Sequence, residues 1–367
     1  MIKVDCLVIG AGFSGATIAE RCAGALGRKV LVLEQRDHIG GNAYDCRDND
    51  GVHVHPYGPH IFHTNATRIW EYLSRFTQWR SYEHKVMAQV AGRLVPVPFN
   101  LNSLHALFPP NEADCMERLL LQQYGEGARV PILKLRASAH GELQELADYV
   151  YRNIFLGYSI KQWNLRPEQL SPSVTARVPV VVSRDDRYFQ DTYQAMPLDG
   201  YTALFQRMLD HSGIEIQTGV DFFEARKGIQ AKHVFYTGPI DAYFDFRCGK
   251  LPYRSLKFMH SNLPQERYQS VGTVNFPNDH DYTRITEFKH ISGQRHPRTS
   301  IVHEYPCAEG DPYYPIPCSE NEQLYRCYRE LAQREHGTTF VGRLANYRYY
   351  NMDQVVAAAL SGIGALS

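Results

Sequence analysis

The stretch from Val4 to Asn42 constrains the fold more than any other part of the chain. Leu7-Val8-Ile9 is a short apolar run of the kind a buried parallel strand shows. Gly10-Ala11-Gly12-Phe13-Ser14-Gly15 follows at once as a G-x-G-x-x-G, and Ala16 to Leu26 then reads as a helix. Val30-Leu31-Val32-Leu33 is a second strand, ended by Glu34 about 20 residues beyond the glycines. Each glycine has its own reason. Gly10 permits the tight turn, Gly12 lets backbone approach a pyrophosphate, and Gly15 lets helix and strand pack closely. The helix start supplies free N–H groups and partial positive charge to phosphates, and Glu34 is placed to accept from a ribose hydroxyl. The unit therefore predicts a bound dinucleotide, with Phe13, Ser14 and Gln35 in the same site.

Beyond Glu34 the chain continues Gln35-Arg36-Asp37-His38-Ile39-Gly40-Gly41-Asn42. A Gly-Gly pair at that distance resembles the second phosphate-side loop of FAD proteins of the glutathione-reductase type. FAD is expected over NAD, with Gly41 and Asn42 against it.

A length of 367 residues allows about two or three packed units. Lys+Arg and Asp+Glu are both 39, so no global field draws the chain to nucleic acid or an acidic membrane, and any anion site must be local. No apolar run approaches the roughly 18 residues that span a bilayer. No basic leader or cleavage site is expected at the N-terminus, where the apolar residues read as the first strand. The eight cysteines form no C-x-x-C, and Cys6 and Cys22 read as buried small apolar residues. A reducing cytoplasm is expected. His60 and His63 lie three apart in a glycine-proline loop, but no Cys or acidic partner has ligand spacing, so no metal is expected.

Further along, Thr64 or Asn65 is placed to cap a helix from Ala66 to about Phe76. Lys85–Val90 and Arg93–Val97 form a hairpin around Ala91-Gly92. Ser103 to about Gln162 is rich in helix formers, with Leu143, Leu146, Ala147, Val150, Tyr151, Ile154 and Phe155 on one stripe. Leu165 to Arg187, broken by prolines and bearing arginines, reads as a surface loop able to act as a lid. Strands dominate from Ser255 to Tyr305 and should join the hairpin in one antiparallel sheet. Ser319 and Glu322 read as a capping box for a helix to about His336 stopped by Gly337, and Asn351 is placed to cap the last helix.

Several segments together resemble the UDP-galactopyranose mutase family of bacterial type, nearly end to end. They are Gly58-Pro59-His60-Ile61-Phe62-His63-Thr64, Gly157-Tyr158-Ser159-Ile160-Lys161-Gln162-Trp163, Tyr236-Thr237-Gly238-Pro239-Ile240-Asp241, Tyr253-Arg254-Ser255-Leu256, Tyr282-Thr283-Arg284, Pro312-Tyr313-Tyr314-Pro315, and Gly342-Arg343 with Tyr349-Tyr350. The resemblance implies an α/β fold: a Rossmann-like FAD domain (1–80, 200–250 and 318–367), an inserted helical domain (100–198, mobile loop about 165–187) and an antiparallel β-sheet domain (82–99 and 251–317). It implies reduced FAD as cofactor, UDP-galactopyranose and UDP-galactofuranose as partners, and flavin N5 as nucleophile at the anomeric carbon. It further implies a homodimer that supplies galactofuranose for cell-surface polysaccharide.

The residue types suit that chemistry. Departure of UDP builds charge on a diphosphate, which calls for fixed cations and donors. Arg177 and Arg284 match the family's two arginines, and the guanidinium fork suits a diphosphate. Tyr188, Tyr314 and Tyr349 match the tyrosines reaching the phosphates, Tyr158 and Trp163 the uridine end, with Asn275 nearby. His63 matches the histidine beside the flavin and His60 the position that recognises a galactose-type sugar nucleotide. His60, Gly342, Arg343, Tyr349 and Met352 are expected on the FAD side, Arg343 facing its pyrophosphate. Asn351-Met352-Asp353 departs from the family's Asp-Met-His, which preserves a cap at 351 but removes its charge. The readings weighed against this one are a flavin amine oxidase on the same cofactor fold, a nucleotide-sugar-binding flavoprotein without turnover, and a mutase acting on UDP-N-acetylgalactosamine.

Overall fold

The structure, a computed structural model, describes residues 1–366; Ser367, the last residue of the expected FAD domain, lies outside them. Val30–Glu34 is buried along its whole length, as a strand covered on both faces must be. It belongs to a five-stranded parallel sheet ordered Ile214–Thr218, Val30–Glu34, Ile2–Ile9, Ile229–Tyr236, Thr338–Phe340. The chain builds one side of Ile2–Ile9 and then the other, so the order reverses there, and ligands of such sheets sit beyond the carboxyl ends at that reversal. Gly10 occupies that place with φ +99°, where a Cβ would stand 2.3 Å from Thr237 Oγ1.

Alternation along the strands decides what each face packs. Val8, Val30 and Val32 pack with Phe205, Met208 and Val356 from the helices Tyr201–Leu209 and Met352–Gly362, beside the helix Phe13–Gly24. Leu7, Leu31 and Leu33 pack on the other side with Phe222 and Tyr236.

The hairpin Val86–Val90/Arg93–Val97 turns at Ala91-Gly92, with φ +49° and +75°. It forms one edge of a seven-stranded sheet with Thr273–Asn275, Arg284–Glu287, Thr299–Cys307, Tyr253–Leu263 and Tyr314–Pro315. That sheet is antiparallel at every pairing but Thr273–Asn275 with Val86–Val90, which is parallel. The hairpin's Val86, Ala88, Val95 and Val97 share a core with Leu104, Leu120, Leu143, Leu146 and Val150 of the helical segment. Within that segment the stripe at 143–155 passes through a π turn, Tyr151–Leu156, before the helix Gly157–Trp163. Such wide turns are frequent near functional sites, and this one sets the direction from which Tyr158 and Trp163 arrive.

Several expectations need correction. The 165–187 segment is not all surface loop: Pro172–Thr175 is a helical turn, and Val180–Val181 pairs with Arg129–Val130, with Val180, Val181 and Val182 buried. The apolar run at 178–182 outweighs the prolines before it. The helix near 66 spans Thr67–Ser74 and starts from Ala66 without a side-chain cap; the Thr64 hydroxyl accepts from the Ala66 N–H at 3.0 Å, ahead of the helix, and donates to Asp353 Oδ2 at 2.8 Å. The helix Ser319–Arg334 starts from Cys318, one residue early for the expected box. A strand at Tyr193–Pro197, between Phe62–Thr64 and Trp79–Ser81, and a short helix at Phe288–Ser292 were not foreseen. Cys248 and Cys327 form a disulfide, which the expected reducing cytoplasm does not call for; the other six cysteines are free.

Candidate active site

Two adjoining cavities lie beyond the carboxyl ends of the parallel strands. The first, about 420 Å³, is lined by Gly10, Gly12, Phe13, Ser14, Glu34, Gln35, Gly41 and Asn42, and by His60, Arg343 and Met352 from later in the chain. Gly15 is set back from it and packs: a Cβ there would stand 1.8 Å from the Gly10 carbonyl oxygen. Gly12 and Gly41 face each other, and a Cβ on Gly41 would come within 3.1 Å of Gly12 Cα. Glu34 accepts from the Ala11 N–H at 2.8 Å and the Arg36 N–H at 3.0 Å, so it braces the turn as well as lining the cavity. Glycine backbone, a helix N-terminus and a carboxylate at the strand end fit a dinucleotide.

Sequence reasoning missed part of this wall. Val220, Asp221, Phe222 and Phe223 line it, as do Asp311, Pro312 and Tyr313 from the loop that leads into Tyr314–Pro315 of the seven-stranded sheet. Arg36 joins the two sides: it lies 4.1 Å over the Tyr57 ring, 3.0 Å from Asn42 Oδ1 and 3.7 Å from Asp311. Pro312 and Tyr313 belong to a motif that pointed to the family and not to this wall, and no local pattern marks the others.

The second cavity, about 460 Å³, shares His60, Arg343 and Met352 with the first. It brings together His63, Tyr158, Trp163, Arg177, Tyr188, Asn275, Arg284, Tyr314, Tyr349 and Gly58, drawn from positions spread over most of the chain. Gly342, by contrast, is not on either wall; it turns with φ +108° against the Ser14 side chain, placing Arg343. Asn275 and Arg284 are partners in one ladder. Trp163 is buried, edge-on to Tyr349 at 5.4 Å and Tyr314 at 6.0 Å.

The electrostatics are local and positive in a chain of zero net charge. Arg177 stacks 4.1 Å over the Tyr349 ring, donates to the Tyr349 carbonyl at 2.9 Å and bonds Asn351 Oδ1. Asn351 also starts the last helix, its N–H donating to Gln354 Oε1 at 2.9 Å. Arg284 donates to the Tyr158 hydroxyl at 2.6 Å and faces Glu304 at 3.4 Å. Its Nε and Glu304 Oε1 are buried without hydrogen-bond partners. Burial lifts the Glu304 carboxyl, against the pull of Arg284, whereas Arg284 stays charged. Glu304 lines the cavity and was not among the expected residues; a lone carboxylate on a strand carries no sequence signal. His60 is half-buried on the cavity wall, desolvation holds it down at about 4, so it is neutral, and its Nδ1 lies 3.0 Å from the Gly58 carbonyl. His84, also missed, is lowered to about 3 by burial. Among the described residues no cluster could hold a metal ion, and no helix is long and apolar enough to cross a membrane.

A Rossmann-like sheet with a dinucleotide cavity opening into an arginine-lined second cavity defines an FAD-dependent enzyme. The family described as UDP-galactopyranose mutase matches residues 153–349, and that of the NAD(P)-binding Rossmann-like domain matches residues 8–76. The chain belongs to the UDP-galactopyranose mutase family. It is 38% identical to the probable UDP-galactopyranose mutase of Klebsiella pneumoniae, covering 98% of this chain and 94% of that one. It is 34% identical to the dTDP-fucopyranose mutase of Escherichia coli, covering 96% of each. A reduced UDP-galactopyranose mutase crystal structure shares the fold with a TM-score of 0.75 at 17% identity, over 99% of this chain and 95% of that one.

Proposed function

We propose that the chain interconverts UDP-galactopyranose and UDP-galactofuranose with FAD bound in its reduced state. One observation carries the reading: Arg177 and Arg284 face a cavity that joins the dinucleotide cavity through His60, Arg343 and Met352. When bound, reduced FAD supplies the electron-rich nucleophile for the anomeric carbon. The chain's residues do the rest. Gly10, Gly12, Gly41 and the N-terminus of Phe13–Gly24 hold the dinucleotide phosphates, and Arg343 adds charge there. The start of Met352–Gly362 turns its partial positive charge toward the cofactor's reactive end, which favours an anionic form. Arg177 and Arg284 hold the diphosphate as charge grows on it, with the Tyr188, Tyr314 and Tyr349 hydroxyls as donors. Tyr158, Trp163 and Asn275 form the nucleoside end, His60 contacts the sugar, and His63 acts beside the reacting carbon. The six free thiols fit a reducing cytoplasm, and the Cys248–Cys327 bridge runs against it.

A second substrate, dTDP-fucopyranose, is favoured by one observation, the 34% identity to a mutase of that name. The test gives the yellow protein UDP-galactofuranose, dTDP-fucopyranose and UDP-N-acetylgalactosamine, with and without dithionite. Conversion of the first only after reduction supports the reading. Conversion of the second alone moves the substrate, and oxygen-dependent amine turnover without conversion overturns the class of reaction. Added UDP is also expected to quench or shift Trp163 emission as Arg177 leaves Asn351 for the diphosphate; emission indifferent to saturating UDP counts against that movement.

A further inference from the structure

His63 is held on two sides. Its Nδ1 lies 2.8 Å from Asp191 Oδ2, and Phe189 stacks on its face with ring centres 3.6 Å apart and planes 13° from parallel. Asp191 is braced in turn: its Oδ1 accepts from Asn65 Nδ2 at 2.7 Å, and Asn65 Oδ1 accepts from the Thr192 N–H at 2.8 Å. Strand pairing explains the arrangement. Phe62–Thr64 runs antiparallel to Tyr193–Pro197 with His63 opposite Gln194, so a residue just before that second strand folds back over the His63 ring. The hydrogen bond from His63 keeps the Asp191 carboxyl below the usual range, so it stays an acceptor. An ionised acceptor at Nδ1 places the neutral ring's proton there and leaves the lone pair on Nε2. Nδ1 is the His63 ring nitrogen with a hydrogen-bond partner among the described residues, and the ring lines the second cavity.

The isomerisation needs such a group. In going from pyranose to furanose, the bond from C1 to O5 breaks, the bond from C1 to O4 forms, and the O4 proton ends on O5. No electrons are gained or lost overall. We propose, resting on the function given above, that Asp191 is a positioning residue that holds His63 with Nε2 free to take the proton from O4 and return it to O5. While His63 carries the proton, Asp191 balances the imidazolium. The other titratable groups around the pair fit this role. His84 is kept neutral by burial, Arg129 lowers Asp191 further, and Asp353 of the last helix bonds Thr64.

The test labels the histidines of the oxidised holoenzyme with nitrogen-15 and identifies the His63 signals by their loss in His63→Ala. His63 is expected as the Nδ1–H tautomer. Asp191→Ala should shift it to Nε2–H or a mixture. In the reduced enzyme the same variant should lower kcat about 100-fold with KM within about twofold and flavin content unchanged. Asp191→Glu should restore the tautomer and most of kcat. If Asp191→Ala fails to retain flavin, Asp191→Asn replaces it with the same expected loss. An unchanged tautomer in the variant, or kcat within twofold of wild type, overturns the proposal. If the wild type fails to convert UDP-galactose, the substrate reading falls while the tautomer measurement still judges Asp191.

Discussion

Arg284→Ala is expected to lower kcat of the reduced enzyme by about a thousand-fold while FAD stays bound. The guanidinium lies inside the second cavity and outside the first, so the cofactor's own contacts are untouched. It is poised rather than satisfied. One Nη meets the Tyr158 hydroxyl at 2.6 Å, and Nε stands 3.4 Å from Glu304 Oε2, an ion pair without a hydrogen bond. A diphosphate gaining charge offers that guanidinium an acceptor that it lacks at rest, and donors unmatched in the ground state are the ones that lower a barrier. Loss of the arginine should not unfold the sheet. Burial already lifts the Glu304 carboxyl, and losing its cation lifts it further, so the neutral acid is favoured over a stranded buried charge. Arg284→Lys keeps the charge but not the fork, and should recover only part of the rate. The checks are kcat with dithionite-reduced enzyme and flavin absorbance per chain. Wild-type turnover in Arg284→Ala would remove the arginine from the chemistry. Loss of flavin would mean that it supports the fold instead.

What the sequence disclosed, and what it hid, follows the range of the interactions involved. The nucleotide unit was legible because its turn, helix and strand are consecutive and each glycine answers a local demand. The hairpin at Ala91-Gly92 was legible for the same reason. The second cavity was legible only through motif resemblance, since Tyr158, Arg177, Arg284 and Tyr349 meet there from four unconnected segments and nothing local to each marks its partners. Local spacing misled at Thr64: expected to cap the next helix, it accepts from the Ala66 N–H just before that helix and donates to Asp353 of the last one. Val180–Val181 was hidden by the prolines before it, Pro172 and Pro179, although the apolar run around it decides its burial. Glu304, His84 and Asp191 carry no sequence signal, because each matters through one contact made across the fold.

Two alanine substitutions in the glycine turn should separate folding from cofactor binding. At Gly15 a Cβ would stand 1.8 Å from the Gly10 carbonyl oxygen, 2.9 Å from its carbonyl carbon and 3.2 Å from Val8 Cγ1. Two of these neighbours are backbone of the turn itself, so the clash is relieved only by lifting Phe13–Gly24 off Ile2–Ile9. Gly15→Ala should therefore cost at least about 3 kcal/mol, the upper range for overpacking a tight core, and lose FAD as well. Gly12 differs. Its φ of −79° suits alanine, and the nearest atom to a Cβ would be Gly41 Cα at 3.7 Å, an ordinary contact. The fold accepts that methyl, but it stands on the cavity wall where backbone must approach the pyrophosphate. Gly12→Ala should leave urea unfolding of the flavin-free protein within about 0.5 kcal/mol of wild type while weakening FAD by at least tenfold. Both effects are read from denaturation of stripped protein and from flavin rebinding. Equal destabilisation in the two variants would show that Gly12 serves packing, and full flavin retention in Gly12→Ala would place the pyrophosphate elsewhere.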